Sequence, residues 1–206
     1  MPDERFYFDI NEELLKSNIV RLDGEVDEST SARVCAYLTA LDNRNGEVEE
    51  EDGSVYYKPI WLYINSPGGS VIDGLAIIDT MKQLHSPVFT VCCGMAASMG
   101  AAILVHGDRR YITRNSRVMF HEVSSGTQGK VSEQRESLEE AERLNTLLEE
   151  MISERLGMSP KEYHKKILKK DLYLSADVAK KFGAVDVILK PEEKQINPRY
   201  LAEEGE

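Results

Sequence analysis

Two short, nearly continuous apolar runs constrain the fold more strongly than any other feature of the sequence. Ile60–Ile64 and Val88–Cys93 each lie between turn residues, a pattern typical of strands buried on both faces of a parallel sheet. The apolar residues between the two runs recur every three or four positions, as on one face of a helix. Gly24, Gly94 and the turn Ser66–Gly69 are predicted to end the strands that precede them. We therefore predict an α/β protein built from repeated β-α-β units.

The longest helical pattern lies in the second half of the chain. Residues 132–156 keep one apolar stripe among charged residues, and Gly157 stands where a helix C-cap is expected. Ser29 and Thr30 are candidate N-caps for a shorter helix after the first predicted strand. The sequence thus predicts helices of very different length around one sheet.

Length and charge limit the number of domains and the classes of partner. The chain has 206 residues, a formal net charge of −11 and 41% hydrophobic residues, which suits one soluble globular domain. We assign residues 1–189 to this domain, residues 190–206 to a polar tail, and Glu47–Asp52 to a solvated acidic loop. The negative balance argues against a nucleic-acid partner, which requires clustered Lys and Arg. No apolar run is long enough to predict a membrane span.

Cysteine usage and the start of the chain bear on compartment and metal binding. The three cysteines, two of them adjacent, form neither a disulfide framework nor a CxxC motif. The first residues lack a basic segment followed by an apolar stretch, so no secretory signal is expected. These features predict a cytoplasmic protein with neither a metal nor another cofactor.

Ser98 is the first candidate nucleophile. It follows a buried strand and stands within the small-residue segment Ala96–Val105, which is predicted to be a closely packed helix. The positive end of that helix faces any oxyanion formed at the serine. The arrangement resembles a nucleophile elbow, although the G-x-S-x-G pattern is absent. A helix N-cap serine is the alternative, and this segment alone favours that plainer interpretation.

His121 and Asp171 are the candidates for a general base and its orienting acid. His121 directly follows the predicted strand Val118–Phe120, at the sheet edge where active sites gather. Asp171 precedes the apolar run Leu172–Leu174, where a buried carboxylate would fix the tautomer of a neighbouring imidazole. Asp73, Asp79, Asp108 and Asp177 are interpreted as turn or helix-face residues. The other histidines are placed in connections or, for His164, on a solvated helix.

The segment Asn65–Val71 places two adjacent glycines after a buried strand. Gly68 and Gly69 allow a tight turn and the close approach of another chain. One backbone N–H group there is a candidate for an oxyanion hole. A phosphate cradle would require a glycine-rich loop with a lysine, and that motif is absent. A plain strand-to-helix turn is the alternative.

Four segments together resemble the ClpP family, the proteolytic subunits of the ATP-dependent Clp proteases. In chain order they are Ile64–Gly69, Ala96–Ala101, Asn115–His121 and Asp171–Ala176. Their order and spacing match the family, and the resemblance covers residues 9–189. Four motifs in register are far more specific than any single serine.

The resemblance implies a crotonase-like α/β fold with a protruding handle helix and a serine peptidase triad. Ser98 is implied as the nucleophile, His121 as the base and Asp171 as the residue that orients the base. The backbone N–H groups of Gly69 and Met99 are implied as the oxyanion hole. No metal or cofactor is implied.

The resemblance also implies peptide or unfolded-protein substrates that bind as an added strand. The residues implied on the two sides of the substrate strand are Gly68, Ser70 and Val71, and Ser124, Ser125 and Gly126. The handle, about residues 122–157, is implied to stack heptameric rings of identical subunits, one or two rings to a particle, around a closed chamber.

Several positions depart from the family pattern. Only eight residues precede Asp9-Ile10, where the family has pore loops that engage an AAA+ ATPase unfoldase. Gln83 replaces an aromatic residue of the ATPase-docking pocket. Lys169-Lys170 replaces an acid and an arginine that pair across rings, and Glu122 replaces a glutamine after the histidine. We therefore expect an intact triad but altered ATPase coupling and an altered contact between rings.

The sequence as a whole predicts a Clp-type serine endopeptidase that works through an acyl-enzyme. One alternative is an acyl-CoA enzyme of the crotonase fold, which would share the oxyanion hole and use carboxylates rather than a serine. A second alternative is a non-catalytic ring subunit that supports an active partner. The complete set of Ser98, His121 and Asp171 argues against both alternatives.

Overall fold

The computed structural model describes residues 10–124, 126 and 129–191. The first nine residues, Ser125 and most of the predicted tail lie outside the described residues. The helices are α1 (Ile10–Lys16), α2 (Glu28–Asn45), α3 (Val71–Gln83), α4 (Met99–Val105), α5 (Val131–Leu156), α6 (Pro160–Ile167) and α7 (Ala176–Phe182). The strands are β1 (Ile19–Val26), β2 (Val48–Glu49), β3 (Val55–Tyr56), β4 (Ile60–Gly69), β5 (Val88–Ala97), β6 (Arg109–Thr113), β7 (Arg117–Phe120), β8 (Leu172–Ser175) and β9 (Val187–Leu189).

Seven of these strands form one mostly parallel sheet, which confirms the predicted α/β class. The parallel order is β1-β4-β5-β6-β9. The first half of β5 pairs with β6, and its last residues, Met95–Ala97, pair with β7. β8 then adds to β7 in the antiparallel direction. β6 and β7 therefore lie one after the other along the same side of β5. This arrangement places the ends of β5, β7 and β8 at the same corner of the sheet.

The strands continue through the glycines that were predicted to end them, so those boundaries were wrong. β1 runs through Gly24 to Val26, with a register shift between Asp23 and Glu25. β4 continues to Gly69 and β5 continues through Gly94 to Ala97, again with a register shift between them. A bulge inserts a residue and bends a strand without ending its pairing. The extended ends of β4 and β5 carry the residues of the candidate site.

Burial along β4 also differs from the prediction. Its inward residues are fully buried, but Trp61 and Tyr63 on the other face are only half-buried. Trp61 packs against Phe89 and Tyr111, with ring centroids 5.3 and 5.2 Å away. Aromatic side chains combine a large apolar area with an edge that tolerates solvent. This face of the sheet therefore carries aromatic side chains from β4, β5 and β6 that pack against one another.

Local capping confirms some helix ends and corrects others. Asp27, rather than Ser29 or Thr30, caps α2, because Asp27 Oδ1 accepts a hydrogen bond from the Thr30 N–H group at 2.7 Å. Gly157 ends α5 in the left-handed conformation, as predicted, with a φ of 69°. Strand β8 was not predicted as a strand. Its four residues gain their pairing only from β7, which is remote in the sequence.

The long helix α5 packs against the body only at its carboxyl-terminal end. Residues 131–140 are all exposed, whereas Leu148, Ile152 and Leu156 are buried against the core. The first half of the helix therefore protrudes, as expected for a handle. The acidic loop forms the short hairpin β2–β3. The described residues hold no cluster of His, Cys, Asp or Glu suited to a metal ion, and none of their helices is long and apolar enough to cross a membrane.

Candidate active site

Ser98 lies at the junction between β5 and α4 in a strained backbone conformation. Its φ is 52° and its ψ is −122°, in a region that non-glycine residues rarely adopt. Its N–H group donates to Met119 O on the neighbouring strand at 2.9 Å, which fixes the turn. The Ser98 side chain makes no capping hydrogen bond to α4. Ser98 therefore occupies the N-cap position of α4, as the plainer interpretation has it, but its hydroxyl group does not cap the helix and is available for other partners.

His121 is that partner. Its Nε2 atom lies 2.7 Å from Ser98 Oγ, at hydrogen-bond distance. The contact follows from sheet register, since Ala97 pairs with Met119 and both chains leave the sheet within the next two residues. The imidazole is mostly buried, with 23% of its side chain exposed. A hydroxyl and an imidazole in this geometry can exchange a proton.

Asp171 lies beside His121 but not in the buried position that the sequence predicted. Because Phe120 pairs with Leu172 across the antiparallel strands β7 and β8, the two residues just outside this pair face each other. Asp171 Oδ1 is 3.8 Å from His121 Nδ1, which is too long for a hydrogen bond but close enough for a charge interaction. The Asp171 side chain is 55% exposed. The carboxylate therefore lies at the rim of the site.

A second acid, Glu122, holds the turn that carries Asp171. The Lys169 N–H group donates to Glu122 Oε2 at 2.7 Å. Lys169 has a φ of 56°, which is unfavourable for a side chain larger than glycine. This hydrogen bond is one local interaction that favours the strained turn. Glu122 was noted in the sequence only as a departure from the family pattern, and no local motif indicated this contact.

Gly68 and Gly69 pack so closely against their neighbours that no side chain fits at either position. A Cβ atom at Gly68, which has a φ of 98°, would lie 2.6 Å from Ser98 Cβ and 2.9 Å from Met99 N. At Gly69 it would lie 2.3 Å from Val26 O. Gly69, Ser98 and Met99 line one cavity. The glycines therefore bring the β4 backbone against the nucleophile candidate, where the sequence analysis placed an oxyanion hole.

The cavity beside Ser98 has a volume of about 200 Å³. Most of its wall is apolar and comes from α4, α5, α6 and the residue before His121. The main apolar lining residues are Met99, Phe120, Leu148, Ile152, Tyr163 and Ile167. A cavity with an apolar wall and a few polar groups is typical of a ligand-binding site.

Asn145, Glu149 and Tyr163 add polar groups to the wall of this cavity and belong to a polar cluster that no sequence motif indicated. Glu149 Oε1 accepts a hydrogen bond from Asn145 Nδ2 and lies within hydrogen-bond distance of His164 Nδ1, each at 2.8 Å. The Glu149 carboxylate raises the pKa of His164. Burial raises the pKa of the Tyr163 hydroxyl, with a smaller contribution from Glu149. The His164 side chain is 39% exposed, as expected for a residue on a solvated helix, but its contact with Glu149 was not predicted. The spacing of Asn145 and Glu149, four residues apart on one helix, is the one sequence signal of the cluster.

The other histidines have structural surroundings. His85 stacks on Tyr57 and lies 3.3 Å from Asp42 Oδ2. His106 ends α4 with Nδ1 placed 2.7 Å from Ala102 O, and burial lowers its pKa to about 4. Neither lies near Ser98 in the cavity wall. His121 is thus the histidine that the fold brings to the candidate nucleophile.

Of the residues expected to bind a substrate strand, some line the cavity beside Ser98 and others do not. Val71 and Ser124 line the cavity, while Gly126 does not. The Ser70 N–H group donates to Val26 O at 2.8 Å, and its hydroxyl accepts a hydrogen bond from the Asp73 N–H group. Ser125 lies outside the described residues. The role of these six positions remains a prediction.

One comparison with known proteins bears on this geometry. A family model described as Clp protease matches residues 2–192. The match spans the mostly parallel sheet, the handle and each of the four segments on which the resemblance rested. The family-level interpretation of the sequence and its crotonase-like fold are therefore confirmed.

Proposed function

Because the chain belongs to the Clp protease family, we propose that it is a serine endopeptidase that cleaves peptides and unfolded proteins through an acyl-enzyme. The observation that carries the proposal is the 2.7 Å distance between Ser98 Oγ and His121 Nε2, at a serine held in a strained turn. Serine is a weak nucleophile unless a base takes its proton, and this base is already at hydrogen-bond distance. Ser98 is accordingly the nucleophile and His121 the general base.

The proposed reaction proceeds in two halves. Ser98 Oγ attacks the scissile carbonyl carbon while His121 Nε2 takes the hydroxyl proton. His121 then gives this proton to the leaving amine, and the acyl group stays on Ser98. A water molecule, activated by the same imidazole, hydrolyses the ester and restores the free serine.

The Gly69 and Met99 N–H groups are the proposed donors to the oxyanion of the tetrahedral intermediate. Met99 is the first residue of α4, and the first N–H groups of a helix have no partner within the helix. Both residues line the cavity beside Ser98. Fixed donors of this kind stabilise the negative charge that forms on the carbonyl oxygen.

Asp171 is the proposed orienting acid, acting through its charge. At 3.8 Å from His121 Nδ1 it favours the imidazolium that forms during the reaction. The contact is weaker than that of a buried, hydrogen-bonded carboxylate, because solvent screens an exposed pair.

We further propose that the active particle is a homo-oligomer of one or two heptameric rings. Clp proteases generally form oligomeric rings that degrade protein substrates. The exposed first half of α5, including Val131 at 76% exposure and Leu138 at 53%, offers apolar side chains for the contact between rings. An AAA+ ATPase unfoldase is a candidate partner. Measuring degradation of an unfolded protein with and without such an ATPase will decide whether coupling is required.

The proposed function is tested by replacing Ser98. Ser98→Ala is expected to lower turnover of a fluorogenic peptide by at least about 10³-fold while leaving particle size unchanged. Ser54→Ala, in the exposed turn between β2 and β3, is the matched control and should retain activity. A fluorophosphonate should label Ser98 in the wild-type chain and give no label in Ser98→Ala.

Three outcomes would contradict the proposal. Undiminished peptide cleavage by Ser98→Ala would exclude the serine mechanism. Turnover of an acyl-CoA thioester without labelling of Ser98 would instead favour an acyl-CoA enzyme of the same fold. An unlabelled, inactive chain that assembles normally would favour a supporting ring subunit.

A further inference from the structure

The cavity beside Ser98 combines an apolar wall with negative charge. Glu122 and Glu149 both line it, and no lysine or arginine is among its described lining residues. The Glu149 side chain is only 14% exposed. A carboxylate at such a depth interacts with a nearby charge more strongly than one in open solvent.

Hydrogen bonds fix the Glu149 carboxylate in place. Asn145 Nδ2 donates to Glu149 Oε1, and the other end of the same amide, Asn145 Oδ1, accepts from the Val123 N–H group at 3.0 Å. His164 Nδ1 lies 2.8 Å from the same Glu149 oxygen. Val123 is two residues from His121. The carboxylate is therefore tied through one amide side chain to the segment that carries the proposed base.

Both contacts of Glu149 end on a single oxygen. Glu149 Oε2 has no hydrogen bond to any other described residue. A carboxylate oxygen can accept more than one hydrogen bond, so this group retains capacity for a donor from a ligand.

We propose that this cavity binds a lysine or arginine side chain of the substrate, at the residue on the acyl side of the scissile bond, with Glu149 pairing its cationic end. The inference rests on the proposed peptidase function. The acyl-side residue is attached to the carbonyl carbon that Ser98 attacks, and Ser98 itself forms part of the cavity wall. Long basic side chains place their methylene stems on apolar surface and their charge at a polar end.

The same arrangement disfavours acidic side chains. An aspartate or glutamate in the cavity would meet the Glu149 carboxylate and lose its hydration without gaining a cation. An uncharged side chain such as methionine would pack in the apolar part of the cavity and would form no ion pair with Glu149. The expected order of preference is lysine, then methionine, then glutamate.

The decisive experiment compares three fluorogenic peptides that differ only in the residue before the fluorophore: lysine, methionine or glutamate. All peptides are assayed at the same pH and ionic strength, so that the charge state of the His164–Glu149 pair is the same for each. For the wild-type chain we expect kcat/KM for lysine to exceed that for glutamate by at least about 100-fold. A fourth peptide, with lysine moved three residues upstream of methionine, corrects for general attraction to an acidic protein.

Glu149→Gln tests the residue itself. Glutamine keeps an oxygen that accepts the Asn145 bond but removes the charge, so the ratio of kcat/KM for the lysine peptide to that for the methionine peptide should fall about tenfold. Glu150→Gln, an exposed neighbour on the same helix, is the matched control and should leave the ratio unchanged.

Equal cleavage of the lysine and glutamate peptides by the wild-type chain would overturn the inference, even if Glu149→Gln failed to fold. A ratio unaffected by Glu149→Gln would also overturn it. These results differ from a failure of the proposed function, in which none of the peptides is cleaved and Ser98 is not labelled.

Discussion

The backbone N–H group of Lys169 donates to Glu122 Oε2 at 2.7 Å, which ties the turn before Asp171 to the residue after His121. The proposed base and its orienting acid come from segments 50 residues apart in the chain. Their relative position depends on strand pairing between β7 and β8 and on this hydrogen bond. Glu122 is therefore a positioning residue for the proposed reaction.

Glu122→Ala is expected to lower kcat about tenfold and to leave KM nearly unchanged, because loss of the acceptor frees the turn that carries Asp171. Glu122→Gln should restore most of kcat, since its amide oxygen can accept the same N–H group. Steady-state kinetics on one peptide provide the measurement. A larger change in KM than in kcat would show that Glu122 acts on substrate binding instead.

Lys169→Gly provides the counterpart on the other side of the hydrogen bond. Glycine retains the N–H group and adopts a φ of 56° without strain, so thermal stability should stay level or rise while kcat is maintained. A fall in kcat would assign a direct role to the Lys169 side chain.

Gly68→Ala is expected to abolish activity and to lower the free energy of unfolding by about 2 kcal/mol or more. The added Cβ atom would lie 2.6 Å from Ser98 Cβ, and the φ of 98° disfavours any side chain. Gly53→Ala is the control for backbone strain alone, because Gly53 also has a positive φ but no atom within 4 Å of the added carbon. Denaturant melts should show a cost of about 1 kcal/mol for Gly53→Ala, with activity retained.

The exposure of Asp171 predicts that salt weakens the wild-type enzyme. Its interaction with His121 spans 3.8 Å with no hydrogen bond, and an exposed charge interaction is screened as ionic strength rises. We expect kcat of the wild-type enzyme to decline severalfold as the salt concentration rises from about 0.05 M to about 1 M. The kcat of Asp171→Asn should decline much less over the same range. Equal salt dependence in the two proteins would show that Asp171 forms a tighter contact in the working enzyme.

The pair of His164 and Glu149 predicts a pH-dependent contribution to stability. Because Glu149 raises the pKa of His164 in the folded chain, the folded state holds this proton more tightly than the unfolded state does. The stabilisation is fully present below the ordinary histidine pKa, about 6.5, and is lost as pH rises through the raised value. The difference in melting temperature between the wild-type chain and His164→Gln should therefore become smaller as the pH is raised from about 6 to about 9. A difference that grows over this range would contradict the assignment.

Much of the architecture can be read from local sequence patterns. Period, capping and turn residues predicted the β-α-β units, the length of α5 and its end at Gly157. The strand ends were wrong at Gly24 and Gly94, because a bulge looks like a break when only one strand is visible. Strand β8 was missed for a different reason. Its pairing partner, β7, lies about 50 residues earlier in the chain, and this pairing is not visible in the segment itself.

The candidate site, too, was predicted from the sequence in part, and the rest became visible only in the structure. The resemblance of the sequence to the ClpP family identified Ser98, His121 and Asp171 as a set, because four motifs in register are more specific than any one residue. Only the tertiary structure decided that Ser98 meets His121 at 2.7 Å, and that Asp171 lies at an exposed rim instead of a buried position. Distances and burial depend on sheet register and on how helices pack over strand ends, and neither is encoded within one segment.

The cluster of Asn145, Glu149 and His164 shows this limit most clearly. Each residue is ordinary on its own helix, and a glutamate on a charged helix is most often solvated. The structure makes Glu149 the charged wall of a cavity because α5 and α6 pack together over the start of α4. The sequence by itself determined the family and its reacting groups. The tertiary structure determined the surroundings of those groups, because desolvation and charge proximity arise only when distant segments come into contact.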